Sequence, residues 1–154
     1  MAVIVRHTES GVASVTGGIY LLLFPIPVVC FIGALLTDIA YSAGAFLMWL
    51  HFSEWLIAAG LVFGALAALA LLIEFFANRA IRTTVGWAHL VLFYGALVVE
   101  LFNAFHHSID GWTAVAPTGM TLSIIGAILA LAAVGTLFRV SVTWIAIAQQ
   151  EERP

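Results

Sequence analysis

The stretch His89–His107 reads HLVLFYGALVVELFNAFHH. It is apolar enough to cross a bilayer, yet it carries histidines at both ends and Glu100 and Asn103 between them. On a helix advancing about 100° per residue, His89, Phe93, Ala96, Glu100, Asn103 and His107 fall on one stripe. A lipid-facing helix does not tolerate that stripe, so it must face other protein. The stretch therefore predicts a membrane helix bundle with a polar seam.

The whole chain agrees. Its 154 residues are 64% hydrophobic and 8% charged, with a mean hydropathy of +1.15. Soluble domains carry about a quarter charged residues, so this is membrane-protein composition. A hydrocarbon core of about 30 Å needs about 20 apolar residues per helix. Four such spans are predicted, at about 20–38, 49–76, 85–105 and 115–138. They make an all-α, four-helix transmembrane domain over 18–140, with tails at 1–17 and 141–154 and no soluble domain left over. The net charge of −3 and the absence of lysine exclude a nucleic-acid partner. Cys30 is the only cysteine, so no intramolecular disulfide can form. The polar start, MAVIVRHTESG, precedes an apolar run without a small-x-small cleavage pattern, so a retained first span is expected rather than a signal peptide.

Within the spans, Pro25 and Pro27 remove two helix donors and should kink or loosen the first helix. Gly33 and Thr37 give that helix a small face. Gly60, Gly64 and Ala68 make a small-xxx-small seam on the second. Gly119, Ser123, Ala127 and Ala130 give the fourth a small face, with Pro117 expected in its first turn. Connections are expected at 39–48, at the basic turn 78–82 and at the polar turn 106–112. Arg6, Arg79, Arg82, Arg139 and Arg153 are all the cations, and a four-span topology puts them on one side. The positive-inside rule then places both termini in the cytoplasm. Trp87 and Trp144 mark the inner interface, Trp49 and Trp112 the outer one.

The runs FPIPVVCFIGALLTDIAY, WLIAAGLVFGALAALALLIEF and NRAIRTTVGWAHLVLFYGALVVELFNAFHHSIDGWTAVAPTGMTLS resemble the bacterial four-helix membrane family called domain of unknown function 2231. The resemblance covers residues from about 20 to 140 and implies a four-helix fold and the bacterial inner membrane. Asn103, His107, Ser108 and Asp110 match the family's Asn-Ala-Phe-x-His-Ser-x-Asp run, with Ile109 where Arg is usual. Gly18 and Ile19 stand where the family has His-Pro, Glu74 where it has Asp, and Phe93 where it has Asn. The family is largely uncharacterised, so the resemblance implies little function.

The candidate site lies at the predicted outer end. The second span enters there with His51 and Glu54, and the third leaves with Glu100, Asn103, His106 and His107. Antiparallel packing should bring His51 level with His106 and His107, and Glu54 level with Asn103. Asp38 and Asp110 close the same rim. Carboxylates without cations must be protonated, bonded to histidinium or bound to metal. His51, Glu54, Glu100, Asn103 and His107 are the candidate ligands of a transition-metal ion. His51 with His106 or His107 is the alternative, as axial ligands of haem b. At the inner end His89 and Glu74 are secondary candidates. Glu74 points about 160° away from Glu54, so one unbent helix cannot put both in the core. Pairing of Glu74 with Arg79 or Arg82 is the favoured expectation.

No phosphate loop, CxxC or HExxH motif is present, and Ser108 beside His107 is not triad geometry. The chain is expected to be non-enzymatic. The leading expectation is a small membrane protein that binds a metal ion or haem and serves a redox or respiratory complex. The alternatives are a structural or accessory subunit whose seam fixes helix register, and a small transporter acting as an oligomer. Lipids, other membrane subunits or further copies of the chain are the expected partners.

Overall fold

A computed structural model describes residues 16–109 and 112–151. Four helices are long and apolar enough to cross a membrane: α1 (Thr16–Gly44), α2 (Leu47–Ala77), α3 (Thr84–His107) and α4 (Thr118–Glu151, of which Thr118–Arg139 is the apolar span). Among the described residues there is no strand. The fold is therefore the all-α membrane bundle that the composition predicts.

The helices are longer than their predicted spans, and the links between them correspondingly tight. Between α1 and α2 stand only Ala45 and Phe46, not the ten-residue connection expected. Ala45 takes the left-handed conformation at φ 53° and donates its N–H to the Tyr41 carbonyl at 2.7 Å, closing α1. Between α2 and α3 there is a single 3-10 turn, Arg79–Ile81. Thr83 caps α3, its Oγ1 accepting from the Gly86 N–H at 3.1 Å. Gly86 lies so close to this turn that a Cβ on it would stand 1.9 Å from the Ile81 carbonyl oxygen. Before α4 runs another 3-10 turn, Trp112–Ala114, then a cis Ala116–Pro117 bond. Pro117 precedes α4 rather than lying in its first turn.

The two prolines of α1 do not end it. Phe24 keeps a helical backbone and donates to the Tyr20 carbonyl at 2.8 Å, and Pro25 opens the next helical run. The inward line of α1 is Tyr20, Phe24, Pro27, Phe31, Ala34, Asp38 and Tyr41. That of α2 is Leu50, Ser53, Ile57, Gly60, Gly64, Ala67, Leu71 and Glu74. Gly60 receives the Phe31 ring and Gly64 the Leu97 side chain, where a Cβ would stand 2.5 Å from either, as a small-residue seam should. In α3 the buried residues are His89, Phe93, Ala96, Glu100, Asn103 and His107, the predicted stripe.

Helix α1 packs on α2 and α4, and α3 on α4 and α2, so the four stand in cyclic order with α1 and α3 across a diagonal. The middle of the bundle is apolar: Phe31, Ala67, Phe93, Ala96, Ala127 and Ala130 are all buried. Polar groups gather at the two ends of this layer. Outward, the helices present large apolar side chains such as Leu22, Trp55, Val62, Phe76 and Phe102, as lipid-facing surfaces do.

Candidate functional site

The cluster near the C-terminal end of α3 is centred on Asp38. This residue is fully buried. Its Oδ1 accepts from Ser53 Oγ and faces His107 Nε2 at 2.9 Å. Its Oδ2 accepts from Ser123 Oγ at 2.5 Å. Asn103 Nδ2 donates both to Ser123 Oγ at 2.8 Å and to Glu100 Oε2 at 2.9 Å. Ser53 Oγ also lies 3.1 Å from the Ala34 carbonyl. One polar side chain or more from every helix thus meets in one hydrogen-bonded knot.

The bonding of His107 constrains its protons. Its Nδ1 lies 3.1 Å from the Asn103 carbonyl, which can only accept, so Nδ1 carries a hydrogen. Its Nε2 faces the Asp38 carboxylate. The two groups therefore share one proton, and the pair is neutral as a whole wherever along the bond that proton sits. Both ring nitrogens are occupied, leaving no lone pair aimed at open space.

Two other atoms of the cluster are unmatched. Glu100 Oε1 and Asn103 Oδ1 are buried without a hydrogen-bond partner, and both residues are 0% exposed. Oε1 is pressed against α4, where a Cβ on Gly126 would lie 1.9 Å from it.

A second knot lies near the start of α3. His89 Nδ1 donates to the Ala133 carbonyl at 3.0 Å and to Thr136 Oγ1 at 2.8 Å. Its Nε2 accepts from the Tyr20 hydroxyl. Tyr20, Phe24 and Phe93 enclose the imidazole, with the Phe24 and Phe93 centroids 5.1 Å apart. Both ring nitrogens of His89 thus have partners.

Of the predicted ligands, the structure brings together Glu100, Asn103 and His107 and leaves His51 and Glu54 outside. His51 and Glu54 bond to each other at 3.1 Å on the outer side of α2, with 65% and 34% of their side chains exposed. The physical reason is the α2 face. Leu50, Ser53, Ile57 and Gly60 point inward, so His51 and Glu54, one residue later, turn about 100° away. Level in depth with the seam, they are rotated out of it. His106 is half-buried beside the knot, its Nε2 shielded and unpartnered. The haem pairing of His51 with His106 or His107 is therefore not assembled either: His51 faces out and His107 faces in. Among the described residues no group of three or more His, Cys, Asp or Glu side chains is arranged to hold a metal ion. Asp110, expected at the rim, lies outside the described residues.

Glu74 reverses the expectation set for it. It is 8% exposed. It accepts from Thr16 Oγ1 at 2.8 Å and from Asn78 Nδ2 at 3.2 Å. Arg82 instead bonds the Phe75 carbonyl at 2.8 Å and the Phe76 carbonyl, capping the end of α2. The geometric exclusion held: Glu74 is inside and Glu54 is not.

Ser53 and Ser123 are the site residues that ligand chemistry overlooked. Ser53 could have been found by extending the Gly60–Gly64 seam two turns back. Ser123 already lay on the predicted small face of α4, but as a packing residue.

A family model described as a predicted membrane protein, DUF2231, matches residues 19–144. The chain belongs to the DUF2231 family. No curated protein and no solved structure matches it. In this DUF2231 chain, the run Asn103 to Ser108 that carries the resemblance also supplies Asn103 and His107 to the Asp38-centred knot.

Proposed function

We propose that this DUF2231 chain is a non-catalytic, accessory subunit of the bacterial inner membrane, whose polar knots fix how its four helices meet. The observation that carries this is the convergence on Asp38: Ser53 from α2, His107 from α3 and Ser123 from α4 all bond a carboxyl of α1. Their donors are directed at one another rather than toward a cavity. Intramembrane polar bonds contribute about 0.6–2 kcal/mol each and specify register, because a slipped helix would strand its polar groups in hydrocarbon. Arg79 and Arg82 at the α2–α3 turn support cytoplasmic termini. Lipid, other membrane subunits or a second copy of the chain would meet the apolar outer faces.

The test is gentle purification from the native membrane, followed by an absorption spectrum, metal analysis and identification of co-purifying proteins. A colourless preparation without stoichiometric metal, travelling with other membrane subunits, is the expected result. A Soret band or stoichiometric Zn, Cu or Fe, lost in His51→Ala or His107→Ala, would replace this reading with the metal or haem one. Ion-dependent flux through liposomes carrying an intact oligomer would replace it with transport.

A further inference from the structure

We propose that Glu100 is a buried proton-binding site, occupied in the folded protein and linked through Asn103 and Ser123 to the Asp38–His107 pair. The inference goes beyond the structural reading and does not depend on it.

Three observations carry it. First, Glu100 is fully buried, its Oε2 accepts only the Asn103 amide, and its Oε1 has no partner. Second, among the described residues none that faces it supplies a spare positive charge. Helix α1 presents Asp38, α2 presents Ser53, α3 itself presents Asn103 and His107, and α4 presents Ser123 and Gly126. His107 is the only group among these able to carry positive charge, and Asp38 already holds it at 2.9 Å. An ionised Glu100 would be a second anion served by one histidinium, in a medium where a lone buried charge is strongly disfavoured. Third, Oε1 is packed against α4: the backbone of Gly126 lies so close that a Cβ there would stand 1.9 Å away. A proton on the carboxyl adds no bulk at that contact.

The linkage is a chain of short contacts. Glu100 Oε2 to Asn103 Nδ2 is 2.9 Å, Asn103 Nδ2 to Ser123 Oγ 2.8 Å, and Ser123 Oγ to Asp38 Oδ2 2.5 Å. His107, the last residue of α3, ends the chain. It stands about 10 Å along the axis from Glu100, toward the helix end. Loss of the Glu100 proton would set a bare carboxylate against the α4 backbone and add a negative charge beside Asp38. The α3–α4 contact is thus conditional on that proton.

Infrared spectroscopy of the full chain in lipid nanodiscs tests this. The parent should show the carbonyl band of a protonated carboxyl at neutral pH, shifted by deuterium exchange. Glu100→Gln should abolish it, and Asp38→Asn should leave it. In reversible unfolding, the folding equilibrium constant of the parent should fall relative to Glu100→Gln as pH rises above about 4.3, where an exposed Glu ionises. The limit is about tenfold per pH unit, because the folded state keeps a proton the unfolded state has released. Should Glu100→Gln fail to fold, Glu100→Asp keeps a carboxyl and must move the band. Absence of the band in the parent overturns the proposal, as does a band that Glu100→Gln or Glu100→Asp leaves in place.

Discussion

Gly126→Ala is a small substitution that the structure makes expensive. The new methyl carbon would stand 1.9 Å from Glu100 Oε1, 2.7 Å from Cδ and 3.0 Å from Cγ. Glu100 must then swing away, but it is buried with its other oxygen held by Asn103. Overpacking a fitted interior costs about 1–3 kcal/mol. Stranding the Asn103 amide or the Glu100 carboxyl costs about 1–3 kcal/mol more. Alanine's better helix propensity returns about 1 kcal/mol. A net loss of about 1–5 kcal/mol follows from these terms, read as the unfolding free energy in mixed micelles. The decisive comparison is a double-mutant cycle with Glu100→Ala. With the carboxyl gone there is nothing to strike, so Gly126→Ala should then be neutral or stabilising by up to about 1 kcal/mol. Equal losses in both backgrounds would refute the reasoning, because the cost would then come from somewhere other than the Glu100 contact.

Removing one partner of the diagonal pair should be severe: Asp38→Ala leaves His107 buried opposite nothing and is expected to cost about 3–5 kcal/mol. Asp38→Ala with His107→Ala should cost clearly less than the sum of the two, and additive losses in chemical unfolding would deny the pairing. His51→Ala and Glu54→Ala should each change stability by no more than about 0.5 kcal/mol, since both lie on the outer surface; a loss above about 2 kcal/mol would put them inside. Tyr20→Phe removes the hydroxyl bonded to His89 Nε2 and should cost about 1–3 kcal/mol. An unchanged melting temperature would mean that another group serves that nitrogen.

Helix α3 was legible because its polar residues are few and four of them, His89, Glu100, Asn103 and His107, lie on one stripe. With so little choice, a 100° wheel picks out the buried face, and the six buried residues are the six on that stripe. The inward face of helix α2 was harder to read because depth and rotation are separate quantities. His51 and Glu54 have the right depth, and their chemistry drew attention, but the direction of α2 is set by Gly60 and Gly64. Those glycines are where Phe31 and Leu97 approach. Extended both ways, their line runs through Ser53 and Glu74 and leaves out His51 and Glu54. Asp38 was legible as a rim residue, but not as the centre of the site. Its partners come from three other helices, and no spacing within α1 shows that.

The two knots share a geometry that explains why both use a histidine of α3 and a residue of α1. Tyr20 bonds His89 and Asp38 bonds His107, and both pairs are 69 positions apart in sequence. Each partner therefore recurs after 18 residues in its own helix, which is five full turns at about 3.6 residues per turn. Tyr20 and Asp38 lie on one line of α1, and His89 and His107 on one line of α3. The lines face each other across the diagonal, and the two knots are about 27 Å apart along the helix axes. Helices α1 and α3 run the same way and are joined only by the long path through α2, so packing alone would let one slide past the other. A bond at each end prevents this, because a slip of one residue along either helix would break both at once. Between them Phe31, Phe93, Ala96 and Ala130 form a buried apolar layer. A proton at Glu100 thus has its polar partners on the His107 side, and the His89 knot lies beyond an apolar layer.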